Sequence, residues 1–283
     1  DNIRVDRYIR RIYPHIKQSL IEQYIRKKLI TVNDQKTASN ARLKCDQTLK
    51  IKQLTICVEN KKQSIIKPNL EKLIAKVRNL IIYEDQNIVA INKPAGLAVQ
   101  GGTKVLLSID DVLAYIKPGE ILKIVHRLDK DTSGVLLFAR NAMVANALMN
   151  EFKDHKIKKE YFAITEKSPV ESMGIINKPI VRKVINGEEL MVIDHANGKD
   201  AITHFEVIKK FQNETSLLRI APKTGRKHQI RVHLKSIGCP ILGDKKYGGK
   251  RTKLHLHAHK ITFSIFKEKE VSIVAPMPDF MNI

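Results

Sequence analysis

The feature that most constrains this sequence is a nine-residue polar string set between two apolar runs. His126-Arg127-Leu128-Asp129-Lys130-Asp131-Thr132-Ser133-Gly134 follows the apolar residues 121–125 and precedes Val135-Leu136-Leu137-Phe138-Ala139. The second run is short, apolar and rich in large side chains, which predicts a buried strand. A polar, Gly-terminated turn between two strands is a rigid support, and catalytic groups concentrate on loops held by such scaffolds. If the strand period persists through residue 129, Arg127 and Asp129 emerge on the same side. A guanidinium beside a carboxylate keeps it ionised at neutral pH, as a nucleophile or base requires. The same spacing also describes an ordinary surface ion pair at a strand end.

Around this string the chain alternates between strand and helix texture. Ile81-Ile82-Tyr83, Ile88-Val89-Ala90-Ile91 and residues 161–165 read as strands, and Pro94-Ala95-Gly96 breaks the chain after the second. Asn141 is placed to cap a helix with Val144, Leu148 and Phe152 on one face. A further helix is expected directly after Thr224 as N-cap, with Ile230, Leu234 and Ile237 along one stripe and Gly238 as a left-handed C-cap before Pro240. Short strands interrupted by single helices predict an α+β fold rather than a doubly wound one. The first sixty residues form a separate basic unit: Arg4, Arg7, Arg10 and Arg11 recur at helical spacing, Leu20 to Leu29 is amphipathic, and strand-like Leu29-Ile30-Thr31-Val32 runs into a turn at Asn33-Asp34. A second strand is expected from Leu49 to Cys57. The expected organisation is a unit over 1–60, a lysine-rich linker over 61–78 and a second domain over 79–283.

Charge narrows the function. The 283 residues carry 51 Lys and Arg against 29 Asp and Glu, a formal net charge of +22, with 43% hydrophobic residues. That is enough apolar material for a packed core, and so strong a basic excess points to a polyanion. No apolar stretch approaches the ~20 residues of a membrane span, and the sequence starts without a signal-peptide apolar region. Cys45, Cys57 and Cys239 are odd in number and form no C-x-x-C pair, so neither a disulfide framework nor a zinc ribbon is expected and a cytoplasmic location is. No G-x-x-x-x-G-K cradle points to ATP. Two metal readings stand beside these: Asp129 and Asp131 as a magnesium-holding Asp-x-Asp pair, and alternating His255, His257 and His259 as transition-metal ligands.

The string HRLDKDTSG resembles the signature of the RluA-type pseudouridine synthases at His126, Arg127, Leu128, Asp129, Ser133 and Gly134. Family-like segments recur in order: Asn92-Lys93-Pro94-Ala95-Gly96, Lys159-Glu160-Tyr161, Thr224-Gly225-Arg226-Lys227-His228-Gln229-Ile230-Arg231-Val232-His233, then Gly243-Asp244 and Tyr247-Gly248. The first fifty or so residues resemble the small RNA-binding module named after ribosomal protein S-four, mainly at Gln18-Ser19-Leu20-Ile21, Ile25-Arg26-Lys27, Val32-Asn33 and Arg42-Leu43-Lys44. The two together are most similar to the RluC branch of the family, which modifies large-subunit ribosomal RNA.

The resemblance implies an α+β catalytic domain with a mixed, largely antiparallel sheet flanked by helices and loops, behind a small α/β RNA-binding domain. It implies isomerisation of uridine to pseudouridine without cofactor or metal, acting on ribosomal RNA of the large subunit or its precursor particle, with no membrane partner and a monomeric protein. By the family pattern Asp129 is the catalytic carboxylate. Arg127 fills the space left by the flipped base, Tyr161 stacks under the uracil, and Arg231 pairs with Asp129. Taken without the resemblance, Tyr161 is a core tyrosine on a strand. The same scaffold also suits a non-catalytic ribosomal-RNA-binding or ribosome-assembly factor.

Overall fold

The computed structural model describes residues 3–13, 18–52, 71–101, 107–117, 119–212, 214–248, 253–266 and 270–281, the side chains of residues 10, 11, 19 and 114 excepted. The chain divides into two compact units, Asp1–Asn69 with Gly101–Lys104, and Leu70–Gln100 with Val105–Ile283. Among the described residues no helix is long and apolar enough to cross a membrane.

The first unit holds β1 (Ile3–Arg4), α1 (Val5–Ile12), α2 (Gln18–Arg26), β2 (Ile30–Val32), β3 (Gln35–Lys36), β4 (Arg42–Leu43) and β5 (Leu49–Ile51). Apolar pairs four residues apart, Val5 with Ile9 and Ile21 with Ile25, turn one stripe of each helix onto Ile30 and Leu43. Asn33 and Asp34 both adopt positive φ, 49° and 61°, as the two-residue turn between paired β2 and β3 demands. Buried Asp6 accepts hydrogen bonds from Arg4 (2.6 Å) and Gln18 (2.9 Å), tying the two helices together. The strand expected from Leu49 is described as far as Ile51, and residues 53–60 lie outside the described residues.

The expected linker is corrected at its far end. Residues 71–78 form a helix, α3, and Val77 is fully buried among Val89, Ile91 and the next helix of the second unit. Leu73 and Ile74 pack beside Val77 and dock a segment whose lysines read as linker. The remainder, 61–70, lies outside the described residues.

The second unit is built on one sheet of ten strands. In chain order they are β6 (Ile81–Glu84), β7 (Ile88–Lys93), β8 (Lys123–Ile124), β9 (Ser133–Ala139), β10 (Lys158–Thr165), β11 (Met173–Asn177), β14 (Ile202–Lys210), β15 (Ser216–Pro222), β16 (Leu256–Phe263) and β17 (Val271–Val274); β12 (Ile180–Ile185) and β13 (Glu188–Ile193) make a separate hairpin. The order across the sheet is β11-β14-β15-β10-β16-β9-β7-β6, with β17 beside β16 and β8 beside β9. Every pairing is antiparallel except β16 with β9. With helices α4 (Ile109–Ile116), α5 (Ala142–Lys153) and α6 (Gln229–Ser236), this is the expected α+β class with a mixed, largely antiparallel sheet.

The apolar run after the polar string is the buried strand at the centre. All seven residues of β9 are buried, and the two-residue period sorts them onto two cores. Val135, Leu137 and Ala139 pack with Val144 and Leu148 of α5 on one face. Leu136 and Phe138 pack with Ile109, Val112 and Ile116 of α4 on the other. A strand covered on both faces reads as continuously hydrophobic. Asn141 caps α5 as expected, its side chain accepting the Val144 amide hydrogen at 2.9 Å.

Gly134 is the second residue of β9, where the strand runs parallel to β16. Its φ is +114°, and a Cβ there would lie 2.1 Å from the Ala258 carbonyl oxygen. Both the torsion and the contact demand glycine. Gly134→Ala is therefore expected to destabilise the second unit by at least about 2 kcal/mol. Urea denaturation followed by circular dichroism measures this, and a midpoint equal to that of the parent protein would contradict it.

Candidate active site

The polar string turns away from the sheet because a side chain replaces the ladder. β8 pairs with β9 only through Lys123 and Ile124. At the next free position the Leu137 amide donates to His126 Nε2 at 2.9 Å, and the imidazole stacks on Phe152 with ring centroids 4.8 Å apart. Burial, with a smaller contribution from the Lys159 charge, pushes the His126 pKa down to about 3. The ring is thus neutral and available as an acceptor.

Strand alternation stops there. Val125 and Leu128, three residues apart, are both buried, so the two-residue period is broken between them. Arg127 is exposed and makes no ion pair with Asp129, which overturns the strand-end pair as a reading of these two residues. The loop carrying Asp129 is held instead by Lys93, whose fully buried ammonium donates to the carbonyls of Pro94 (3.0 Å), Leu97 (2.9 Å) and Lys130 (3.0 Å). Burial lowers its pKa to about 7, against the opposing pull of Asp131 and Asp129.

Asp129 Oδ2 faces two groups from the other half of the sheet. Arg231 Nη1 is 3.4 Å away and His228 Nε2 is 3.8 Å away. Arg231 is buried on α6, and its guanidinium is fixed by Asp244, with Nε to Oδ2 at 2.8 Å and Nη2 to Oδ1 at 2.7 Å. Asp244 Oδ1 also accepts the amide hydrogens of Lys246 and Tyr247, each at 3.0 Å. Burial works most strongly against ionising Asp244, yet the Arg231 hydrogen bonds and charge, with the Lys246 and Tyr247 amides, together outweigh it and hold its pKa below the usual carboxylate range. The Tyr247 ring lies 5.0 Å from the guanidinium carbon, and its hydroxyl reaches His228 Nδ1 at 2.7 Å.

The helix bearing Arg231 starts later than its sequence suggests. Thr224 does not cap it; its hydroxyl donates to Gln229 Oε1 at 2.7 Å and accepts from the Ile202 amide at 3.0 Å. Gln229 Oε1 also takes the Arg226 amide hydrogen, so residues 224–228 form a loop closed by a side chain. α6 begins only after His228, which takes a left-handed φ of 55° and so comes to face Asp129. Gly238 does adopt the left-handed conformation expected of it, φ +78°.

Tyr161 lies on β10 between Ala258 of β16 and Ile220 of β15. It packs against both the α4 core and the α6 core, with burial and the nearby Asp129 carboxylate pushing its phenol pKa up. The structure thus gathers Asp129, Arg231 and Tyr161 and leaves Arg127 on the exposed side of the loop. Sequence reasoning assigned no role to Asp244, Tyr247, His228 or Lys93. Each stood inside a quoted family-like segment, but only a fold that brings residues 129, 231 and 244 together shows what they touch.

The metal readings find no support in the geometry. Among the described residues no three His, Cys, Asp or Glu side chains are placed to share an ion. Asp131 is exposed while Asp129 is half-buried. His257 sits 2.9 Å from Ser133 Oγ and 3.3 Å from the Ala275 carbonyl, His259 reaches that carbonyl at 2.9 Å, and His255 the Lys253 carbonyl at 2.8 Å.

A half-buried carboxylate thus faces a buried arginine and lies near the Tyr161 ring on the mixed sheet. Residues 87–236 match the RNA pseudouridylate synthase family, and the chain belongs to that family. It is 40% identical to the ribosomal large subunit pseudouridine synthase C of Rickettsia typhi over 99% of this chain and 95% of that protein. The corresponding protein of Vibrio parahaemolyticus is 33% identical over 97% of this chain and 89% of its own length. Among solved structures, Human RNA Pseudouridylate Synthase Domain Containing 4 superposes with a TM-score of 0.65 at 30% identity, covering 76% of this chain and 94% of that one.

The buried imidazoles make stability pH-dependent. His126 titrates near 3, and burial lowers His228 and His257 to about 4. Below about pH 6.5 the unfolded chain takes up protons that the folded chain refuses, so stability is fully present above that pH and is lost as pH falls toward 4. Each such group contributes up to ~1.4 kcal/mol per pH unit. His126→Gln keeps an acceptor for the Leu137 amide but does not titrate, so its unfolding free energy should fall less steeply between pH 6.5 and 4.5. Parallel slopes for variant and parent in urea titrations would contradict the assignment.

Proposed function

We propose that this chain isomerises uridine to pseudouridine in large-subunit ribosomal RNA, with Asp129 as the reacting carboxylate. The observation that carries this reading is the Asp244–Arg231–Asp129 arrangement, in which two guanidinium nitrogens are spent on Asp244 and the third is turned to Asp129. The names of the curated relatives supply the RNA. The reaction breaks the bond between uracil N1 and the sugar C1′, joins C5 to C1′, and moves a proton from C5 to N1. Nothing is oxidised and no group is donated, so one carboxylate suffices where ordinary glycoside hydrolysis uses two.

Each remaining residue then has a part. The uridine leaves its helix at a cost of a few kcal/mol. Exposed Arg127, two residues from Asp129, occupies the space it vacates. Tyr161 stacks on the uracil, an interaction of ~1–3 kcal/mol. Arg231 orients Asp129. No cofactor or metal takes part. The first unit serves as an S-four-type RNA-binding module, and the protein works in the cytoplasm as a monomer on the ribosomal RNA or its precursor particle.

Asp129→Asn is nearly isosteric but cannot act as a nucleophile or base. It should abolish pseudouridine formation while leaving RNA affinity within a few-fold, as read by mapping pseudouridine in large-subunit RNA incubated with either protein. Substantial turnover by the variant would remove Asp129 from the mechanism. No pseudouridine from the parent protein would favour an RNA-binding or assembly factor on this scaffold.

If the first unit adds phosphate contacts rather than chemistry, deleting residues 1–60 should flatten the dependence of log K on log salt by ~0.7–0.9 per lost contact. The single-turnover rate at saturating RNA should change much less. An unchanged slope with a collapsed rate would make the first unit part of the catalytic machinery.

A further inference from the structure

We propose that Lys159 binds a backbone phosphate flanking the target nucleotide, an assignment that rests on the RNA-modifying reading above and extends it to a contact with the sugar–phosphate chain. Comparison of Lys159 with Lys93 of the same unit carries the argument. A lysine ammonium has three N–H donors. Lys93 spends all three on carbonyls of its own loops and is fully buried. Lys159 is largely removed from water but spends one, on the Thr224 carbonyl at 3.3 Å. Among the described residues no carboxylate lies within ion-pair distance of it.

A desolvated cation without a counter-ion is costly, and an arriving anion relieves that cost. Desolvation alone lowers the Lys159 pKa to about 8. The neighbouring His126 is held neutral and offers no competing charge. There is also room for a ligand. A Cβ built on Gly225 would meet nothing but Lys159 Nζ, at 3.9 Å, so bare backbone and ammonium border the same open space.

Position selects the anion. The Thr224 carbonyl that Lys159 reaches opens the loop that brings His228 to Asp129, and Lys159 sits two residues before Tyr161 on β10, ~6.6–6.8 Å along the strand. That is the scale separating a base from the phosphate of its own nucleotide. With the uracil on Tyr161, an adjoining phosphodiester lies within reach of Lys159 and of the open Gly225 backbone.

The test is filter binding of a large-subunit RNA transcript over a series of salt concentrations, in an Asp129→Asn background so that no turnover intervenes. Lys159→Met should bind several-fold more weakly and lower the slope of log K against log salt by ~0.7–0.9, the value of one phosphate contact. Lys159→Arg should keep the parent slope. A folded Lys159→Met with the parent slope would overturn the proposal. Should Lys159→Met fail to fold, transcripts with a neutral methylphosphonate at either phosphate beside the modified uridine replace it. One of these must weaken binding to the unaltered Lys159 protein several-fold, and equal binding of both and of the parent transcript would overturn the proposal. The two readings fail separately: wild type that makes pseudouridine while the slopes coincide removes the phosphate contact alone. A lowered slope in a protein that makes no pseudouridine removes the isomerase reading alone.

Discussion

Arg231 is buried on α6 with its guanidinium shared between two carboxylates, and the loops around the site are arranged to make that possible. A charge at that depth is tolerated only when paired and hydrogen-bonded. Asp244 supplies a bidentate partner and is itself held by two backbone amides of the turn that follows it. Removing one member of such a buried pair leaves an uncompensated charge, at a typical cost of ~3–5 kcal/mol. The fold therefore cannot relax the Arg231 position, and the remaining guanidinium nitrogen addresses Asp129 from a fixed direction. This preorganisation is what electrostatic catalysis requires, because the groups need not rearrange when charge develops.

The carboxylate is fixed equally firmly from its own side. β9 is locked by packing on both faces and by the contact that Gly134 permits with β16. Upstream, His126 ends the β8 ladder without leaving the Leu137 amide unpaired. Between these anchors Lys93 draws the Lys130 carbonyl toward those of Pro94 and Leu97. Asp129 thus sits on a loop whose neighbours on both sides are bonded into the core.

What the sequence made legible follows from the range of each interaction. The buried strand, the Asn141 cap and the Gly238 terminus depend on neighbours a few residues away, and all three are where pattern and turn chemistry place them. The start of α6 was misplaced because Thr224 spends its hydroxyl on Gln229 and Ile202, a choice set by tertiary partners. The Arg127–Asp129 ion pair was expected from neighbours in sequence, whereas Asp129 faces Arg231 and His228 from a distant segment. Residues 129 and 231 are 102 apart in sequence, and no spacing rule links them; family-like motifs alone suggested that they meet. Helix α3 was missed because Val77 is its one fully buried residue in a lysine-rich stretch.

The second neighbour of Asp129 completes the electrostatic picture. Tyr247 Oη accepts the Met191 amide hydrogen at 3.0 Å and lies 2.7 Å from His228 Nδ1. If the hydroxyl gives its own hydrogen to Nδ1, the imidazole proton must sit on Nε2, directed at Asp129. The opposite tautomer would set a bare nitrogen lone pair against the carboxylate. Burial, assisted by the charges of Arg231, Lys227 and Lys246 and opposed by Asp129, lowers the His228 pKa to about 4 and keeps the ring neutral. With that tautomer Asp129 faces the Arg231 cation at 3.4 Å and the neutral His228 ring at 3.8 Å. The left-handed turn at His228, unusual for a residue with a side chain, is what delivers that ring to the site.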